Sequence, residues 1–187
     1  MRIVSGKFKG KKLIQPRDKS TRPLKDLTKE SIFNLILHSK IINLEIENLI
    51  VLDLFAGSGS FGLECLSRNV KHVTFIENHK PAMEVLKKNI NSLNHDNNFE
   101  LLEMDIFNEK IYKSFNKTYD LIFLDPPYLE KKINKLLSII HKFKLLNKKG
   151  IGIIHRNNKK NESLSNNFKI IDQRIYGISK ILFFRLK

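Results

Sequence analysis

The segment Leu49–Leu66, LIVLDLFAGSGSFGLECL, decides the fold of this chain. A short apolar run ends near Asp53, a glycine-rich turn follows, and the next apolar run has the spacing of a helix. Gly57, Gly59 and Gly62 satisfy the pattern G-x-G-x-x-G in the strand–turn–helix context that this fingerprint requires. Glycines let a ligand approach the backbone, and a helix N-terminus offers free N–H groups. The segment therefore predicts a nucleoside-cofactor site, with a purely structural turn as the alternative.

From residue 49 onward, short apolar runs alternate with amphipathic runs. Such alternation predicts an α/β domain with a parallel sheet and helices on both faces. The predicted strands are 49–54, 72–77, 99–103, 119–125 and 150–155, and the predicted helices lie near 60–68, 80–93, 108–115 and 130–143. The tail predicts two antiparallel strands around a turn near Tyr176–Gly177, which would close one edge of the sheet.

The residues before position 49 form a different pattern. The opening segment alternates loosely and is interrupted by Gly6 and Gly10, which predicts a basic β-hairpin. Residues 24–39 predict an amphipathic helix, whose apolar stripe would consist of Leu24, Leu27, Ile32, Phe33, Leu35 and Ile36. We therefore expect a short N-terminal extension, residues 1–23, on a single globular domain, residues 24–187.

Acidic residues follow four of the predicted strands: Asp53, Glu77, Asp105 and Asp125. The carboxyl ends of parallel strands form the rim of a ligand crevice. A carboxylate at Asp53 would repel the pyrophosphate of a dinucleotide but attract a cation, so S-adenosylmethionine fits better than NAD. Glu77 is placed for ribose hydroxyls and Asp105 for the adenine amino group. The candidate cofactor contacts are Asp53, Phe55, Ala56, Gly57, Ser58, Gly59, Glu77, Asn78, Asp105 and Ile106.

The stretch Asp120–Tyr128, DLIFLDPPY, ends a buried strand on a carboxylate, two prolines and an aromatic ring. Two prolines remove two N–H donors and leave two carbonyl acceptors at a fixed φ. Acceptors beside a flat ring suit a planar substrate that offers N–H donors, such as an amino-bearing nucleobase. The candidate catalytic residues are therefore Asp125, Pro126, Pro127 and Tyr128, and the alternative for this motif alone is an ordinary strand end and turn.

The charge of the chain favours a polyanionic partner. It contains 34 Lys and Arg against 19 Asp and Glu, a net charge of +15, and such an excess attracts nucleic acid through long-range forces and counterion release. The first 25 residues carry much of it, against the single acid Asp18. The candidate RNA contacts are Arg2, Lys7, Lys9, Lys11, Lys12, Arg17 and Arg22, with a merely solvated basic face as the alternative.

Several classes of protein are disfavoured. No apolar run approaches the roughly 20 residues of a membrane span, and no apolar segment follows the charged N-terminus as in a secretory signal. The single cysteine, Cys65, excludes a disulfide framework and favours a reducing cytoplasm, with the thiol buried in a helix. The six histidines lack the spacing of metal ligands, so we expect no metal.

The chain resembles a known family, the RsmD family of bacterial methyltransferases, which act on a guanine 2-amino group in 16S ribosomal RNA. The resemblance spans nearly the whole chain. It rests on the opening MRIVSGKFKGKKL, on TRPLKDLTKESIFNLI from Thr21 to Ile36, on VLDLFAGSGSFGLECLSR and on FLDPPY. The last two motifs are shared by many amino-methyltransferases, and the N-terminal block narrows the choice. Leu24 and Lys25 depart from the small hydroxylic residues usual there, and His155 stands where an acid is expected.

The resemblance implies a Rossmann-like class I methyltransferase with a seven-stranded sheet. It also implies S-adenosylmethionine as methyl donor, S-adenosylhomocysteine as product, and N-methylation of one guanine in 16S rRNA. The N-terminal hairpin and the TRP loop would help to hold the RNA. We expect a cytoplasmic monomer whose partner is the assembled or assembling small ribosomal subunit.

Two other interpretations remain open on the sequence alone. The first keeps the chemistry and changes the substrate, to a DNA adenine or a protein glutamine side chain, although DNA enzymes usually carry an added recognition domain. The second is a non-catalytic RNA-binding assembly factor with a methyltransferase fold. A pure binding protein would need neither the DPPY motif nor the glycine-rich turn.

Overall fold

The structure is a computed structural model that describes residues 1–16, 24–42, 44–93, 98–127, 129–159 and 164–187. Short 3₁₀ turns cover Ile46–Asn48 and Glu109–Ser114. The helices are α1 (Asp26–His38), α2 (Ser60–Ser67), α3 (Lys80–Asn91) and α4 (Ile133–Lys142). The strands are β1 (Ile50–Asp53), β2 (His72–Glu77), β3 (Phe99–Glu103), β4 (Tyr119–Leu124), β5 (Leu146–Asn157), β6 (Phe168–Tyr176) and β7 (Ser179–Leu186).

These strands form one seven-stranded sheet in the order β3-β2-β1-β4-β5-β7-β6. Strands β1 to β5 run parallel, and β7 pairs antiparallel with both β5 and β6. The predicted α/β class and the antiparallel pair at one edge are confirmed. The chain moves outward from β1 to β3 and then returns to β4 on the other side of β1. The gap between β1 and β4 is thus the switch point where α/β sheets bind ligands.

The core lies on both faces of this sheet because successive strand side chains point to opposite faces. On one face, Val51 packs with α1, α2 and α3. On the other, Leu52 packs with α4 and the second 3₁₀ turn. A strand covered on both faces is apolar throughout, which explains why β1 and β4 read as short continuous apolar runs.

Two elements differ from their predictions. The helix predicted at 108–115 is the 3₁₀ turn Glu109–Ser114. Strand β5 begins at Leu146, before the predicted start at 150, and its pairing with β4 shifts register between Tyr119 and Leu121. The polar residues Asn147, Lys148 and Lys149 occupy that irregularity, and their polarity concealed the early start of the strand.

In α1 the predicted apolar stripe is partly wrong. Leu27 is 78% exposed, whereas Ile32, Phe33 and Ile36 are buried as expected. Lys29 is fully buried instead. Its ammonium group donates to the carbonyl of Arg2 at 2.7 Å and lies 3.4 Å from the buried carboxylate of Glu64. A charge held inside the protein thus sets which side of the helix faces the core.

The N-terminal segment pairs with itself through one antiparallel bridge, Arg2 with Lys12, rather than an extended ladder. It lies against α2, where the N–H of Lys7 donates to the carbonyl of Ser67 at 2.7 Å. Ile3 is completely buried in the core beneath it. Residues 17–23 lie outside the described part of the chain, so the division into residues 1–23 and 24–187 stays a prediction.

Candidate active site

A cavity of about 750 Å³ opens at the carboxyl edge of the sheet, beside the switch point. The residues that follow β1, β2, β3 and β4 all contribute to its walls. Asp53, Glu77, Asp105 and Asp125, the acids predicted to meet at this edge, all line it. Nine of the ten candidate cofactor residues line the same space: Asp53, Phe55, Ala56, Gly57, Ser58, Glu77, Asn78, Asp105 and Ile106.

Gly59, the tenth, has a conformational role. It precedes α2 with φ +84°, a left-handed conformation that glycine adopts without steric cost. A Cβ atom there would lie 2.4 Å from Cδ1 of Leu86 in α3. Gly59 therefore allows the turn to enter α2 while α3 packs closely against it.

The glycine-rich loop is held by the acid at the end of β2. The N–H of Gly57 donates to Oε2 of Glu77 at 2.8 Å, and the N–H groups of Asn78 and His79 donate to Oε1 at 3.0 and 2.8 Å. A carboxylate offers about four acceptor sites, so Glu77 retains capacity for a ligand hydroxyl. Glu77 therefore shapes the loop in addition to its predicted contact with ribose.

Asp53 is the most unusual carboxylate of the cavity. It is 1% exposed, and its Oδ2 accepts from the N–H of Gly62 at 3.1 Å. Its Oδ1 is buried and has no hydrogen-bond partner among the described residues. Burial, assisted by the nearby charges of Asp125 and Glu77, raises the pKa of Asp53 to about 8. A cationic ligand would supply the missing partner, so this site fits a ligand with an ammonium group and does not fit a phosphate.

Aromatic rings provide flat apolar walls. Phe61 and Phe123 stack with ring centroids 3.8 Å apart, and both line the cavity. Phe55 and Phe107 meet edge to face at 6.5 Å on the same lining. Apolar and aromatic walls with a few convergent polar groups are typical of small-molecule sites, so this part of the cavity suits a planar ring.

The predicted catalytic loop lies on the adjoining wall. Asp125, Pro126 and Pro127 line the cavity directly after β4, whereas Tyr128 lies outside the described residues. Oδ1 of Asp125 is 2.8 Å from Nδ1 of His155, at the carboxyl end of β5. In the sequence, His155 stands out only as a departure from a family pattern. The signal that identifies this pair is the parallel register of Leu124 with Ile154, which brings the next residues of both strands together.

A second side chain of β5 reaches the same loop. Arg156 is 2% exposed, and its guanidinium donates to the carbonyl oxygens of Pro127 at 3.1 Å and Glu130 at 2.8 Å. Arg156 is not among the residues predicted from the sequence. The available signal was an arginine two residues after the apolar run of a buried strand, where a charge requires a specific partner.

The predicted RNA contacts separate into two groups. Arg17 and Arg22 lie outside the described residues. The side chains of Arg2, Lys7, Lys9, Lys11 and Lys12 are exposed, and Nε of Arg2 is 3.4 Å from Oδ2 of Asp26. Lys7 is beside Ser67, about 10 Å along α2 from the end that borders the cavity. The N-terminal segment therefore places positive charge on the side of the domain formed by α2.

Within the described ranges, no group of three or more His, Cys, Asp or Glu residues could hold a metal ion. No helix in the same ranges is long and apolar enough to cross a membrane. Cys65 is buried in α2.

Comparison with known proteins identifies the family. The family described as Conserved hypothetical protein 95 matches residues 1–185. YlbH of Bacillus subtilis is 36% identical over 151 residues, which are 80% of this chain and 79% of that protein. The ribosomal RNA small subunit methyltransferase D of Buchnera aphidicola is 32% identical over 173 residues, 92% of this chain and 86% of that protein.

The fold also matches solved structures. A hypothetical protein of Thermus thermophilus superposes with a TM-score of 0.80 at 22% identity, over 100% of this chain and 99% of that one. At this identity the likeness establishes the fold alone. Together with the family match over nearly the whole sequence, it confirms the Rossmann-like class I fold. The chain belongs to the RsmD family of methyltransferases.

Proposed function

We propose that this protein transfers a methyl group from S-adenosylmethionine to the exocyclic 2-amino group of a guanine in 16S ribosomal RNA. The observation that carries the proposal is the composition of one cavity. It contains the buried carboxylate of Asp53, one oxygen of which has no hydrogen-bond partner in the described part of the chain, and a carboxylate followed by two prolines, Asp125 to Pro127. The first suits a cationic cofactor and the second suits an amine. The family membership and the exposed lysines support RNA as the substrate.

The residues assigned to the cofactor follow from these contacts. When bound, S-adenosylmethionine supplies an electrophilic methyl group on a sulfonium. Oδ1 of Asp53 would bind the ammonium group, Glu77 the ribose hydroxyls, and Asp105 the adenine amino group with Ile106 against the ring. Phe55 and Phe107 would enclose the base edge.

The residues assigned to the substrate must make a poor nucleophile reactive, because the lone pair of an exocyclic amine is delocalised into the purine ring. Asp125 would accept one N–H of the amine and the Pro126 carbonyl the other, which directs the lone pair at the methyl group. Oδ1 of Asp125 is engaged by His155, so we assign Oδ2 to the amine. Tyr128 would stack on the base. Holding both reactants in line contributes roughly 7–11 kcal/mol to lowering the barrier, and the proton leaves to Asp125 or to water.

The partner in this proposal is the small ribosomal subunit, approached by a cytoplasmic monomer. A guanine inside a duplex cannot reach the cavity, so the target is an exposed loop base or one that flips out at a cost of a few kcal/mol. The exposed lysines of the N-terminal segment would contact phosphates and give binding a salt dependence.

The test is labelled methyl transfer into unmodified small subunits, with naked rRNA and DNA in parallel, followed by nucleoside mass spectrometry. We expect 2-methylguanosine from subunits or rRNA. Methyladenine, or label in protein, would refute the substrate while keeping the donor. Asp125→Ala should lower the turnover number by more than about 100-fold and leave S-adenosylhomocysteine affinity nearly unchanged, because Asp125 is assigned to the amine.

A further inference from the structure

The carboxyl end of β5 lies directly beside the loop that follows β4. The two strands are parallel, with Leu124 paired to Ile154, so His155 adjoins Asp125. Arg156, one residue further, lies level with the prolines of the loop. Two consecutive polar side chains thus follow a run of buried residues, Ile151, Gly152, Ile153 and Ile154, near the carboxyl end of β5.

His155 restricts the carboxylate of Asp125. The two side chains are 8% and 18% exposed, and Nδ1 lies 2.8 Å from Oδ1. A carboxylate oxygen accepts hydrogen bonds, so this contact is a hydrogen bond when Nδ1 carries the hydrogen. Because one oxygen is engaged from the side of β5, rotation of the carboxylate is limited and the orientation of Oδ2 is fixed.

Arg156 restricts the backbone of the same loop. The carbonyl of Pro127 accepts from the N–H of Glu130 at 2.9 Å, which closes a turn. The same carbonyl accepts from Nη1 of Arg156, and Nη2 donates to the carbonyl of Glu130. Leu129, between the two acceptors, is 84% exposed and contributes little anchoring of its own. The guanidinium therefore ties both ends of the turn to β5.

Packing alone does not require these two side chains. Apolar residues of similar volume fill buried sites at least as stably as polar ones, which must be desolvated. A histidine and an arginine in this position instead orient the loop after β4, since each makes hydrogen bonds of defined geometry to a different part of it.

We propose that His155 and Arg156 are positioning residues for methyl transfer: His155 orients the Asp125 carboxylate, and Arg156 fixes the Pro127–Glu130 turn against the substrate base. The inference rests on the proposed function, because it assigns Asp125 and the adjacent carbonyls to the amine of a planar base. Neither residue touches the reacting atoms. Each acts through the loop.

The test for His155 compares two variants with small subunits as substrate. His155→Leu keeps the bulk and removes the donor, whereas His155→Asn places an amide N–H close to the position of Nδ1. We expect His155→Leu to lower kcat by about 100-fold, the typical effect of a misplaced reacting group, with S-adenosylhomocysteine affinity within about threefold of wild type, and His155→Asn to restore most of kcat. A His155→Leu enzyme with wild-type kcat, or equal losses in both variants, would overturn the assignment.

The test for Arg156 uses Arg156→Met, which keeps an unbranched chain of similar length, and Arg156→Lys, which keeps the charge without the planar fork. We expect both to lower kcat, by about tenfold or more, while S-adenosylhomocysteine binding is unchanged. Full activity in Arg156→Met would show that the turn does not need the hydrogen bonds from Arg156, and would refute the assignment.

A spectroscopic measurement separates this inference from the proposed function. Nitrogen-15 NMR of the imidazole rings should show a His155 with its proton on Nδ1, and this signal should change in Asp125→Ala. An Nε2–H tautomer would refute the contact even if the enzyme methylates guanine. If wild-type protein methylates no guanine, the proposed function fails, whereas the tautomer still reports on the geometry.

Discussion

Two buried carboxylates, Glu64 in α2 and Asp53 at the end of β1, differ in how the chain compensates for the free-energy cost of burial. Glu64 is 0% and Asp53 1% exposed, and removing either charge from water is expensive. Glu64 is surrounded by donors of its own chain, whereas one oxygen of Asp53 has none among the described residues. A buried carboxylate with a complete set of partners thus stabilises the fold, whereas one with an incomplete set indicates a binding site for a ligand.

The partners of Glu64 come from three segments. The N–H groups of Val4 and Ser5 donate to its two oxygens at 2.7 and 2.9 Å. Nε of Arg68 is 2.9 Å and Nζ of Lys29 is 3.4 Å from the carboxylate. The N-terminal segment, α1 and α2 are therefore joined at one acid. Burial lowers the pKa of Lys29, although the charge of Glu64 opposes that shift.

Removing the satisfied carboxylate should have the largest effect. Glu64→Ala leaves the buried ammonium of Lys29 without its counter-charge, and breaking a buried pair typically costs about 3–5 kcal/mol. We expect the free energy of unfolding, measured by urea denaturation, to fall by that amount. The exposed Glu47 offers the matched control, since Glu47→Ala should change stability by less than about 0.5 kcal/mol.

A backbone change can separate the N-terminal segment from the same acid. Gly6 has φ +81°, and an added Cβ would meet the carbonyl oxygen of Ser67 at 1.9 Å, whereas Gly10 has φ +87° with nothing within 4 Å. Both alanine variants bear the left-handed strain, and only Gly6→Ala bears the clash. We expect it to cost about 2 kcal/mol more than Gly10→Ala by thermal unfolding. Equal costs would mean that the segment moves away without loss.

Neutralising the incomplete site should affect binding more than stability. Asp53→Asn keeps the shape and removes the charge, so we expect S-adenosylmethionine affinity to fall by about 10- to 100-fold in calorimetry while the protein stays folded. Methylthioadenosine, which lacks the amino-acid end of the cofactor, is the control ligand. If its affinity falls equally, Asp53 acts on the loop and not on the ammonium group.

The smallest expected effect is on pH dependence. The pKa of Asp53 is raised from 3.8 to about 8, so the ligand-free protein gains stability from this group below pH 4 and loses it as the pH rises through 8. A cationic ligand needs the ionised form, so binding runs in the opposite direction. We expect S-adenosylhomocysteine affinity to rise about fivefold between pH 7 and 8, and this rise to vanish in Asp53→Asn. An affinity independent of pH would place the titration elsewhere.

The sequence predicts the position of Asp53 in a ligand site but not the burial of Glu64. Asp53 follows an apolar strand and precedes glycines, a local pattern with a known geometric meaning. Glu64 is one acid in a helix, and its partners Val4 and Ser5 are about 60 residues away, so no local pattern identifies it. The prediction that Leu27 lies in the core is wrong for the same reason. The orientation of α1 depends on the burial of Lys29 beside Glu64, a contact that no local pattern reveals.

The same distinction applies to the active site. The four acids and the prolines belong to strand ends, which periodicity locates well. The contacts of His155 and Arg156 depend on the register of β5 against β4, and the polar start of β5 concealed that register. Positions along one strand were therefore predictable, whereas contacts between strands required the fold.

Because Cys65 is buried in α2, its rate of alkylation can measure the opening of this helix. This thiol is the only one of the chain, and burial raises its pKa well above the ordinary value. A thiol inside the helix reacts with an alkylating reagent only when the helix opens. Its modification rate therefore measures how often α2 opens, the helix that contains Glu64 and donates to Asp53 through the N–H of Gly62. Slower alkylation in the presence of bound cofactor would show that ligand binding at one end of α2 stabilises the helix as far as Cys65.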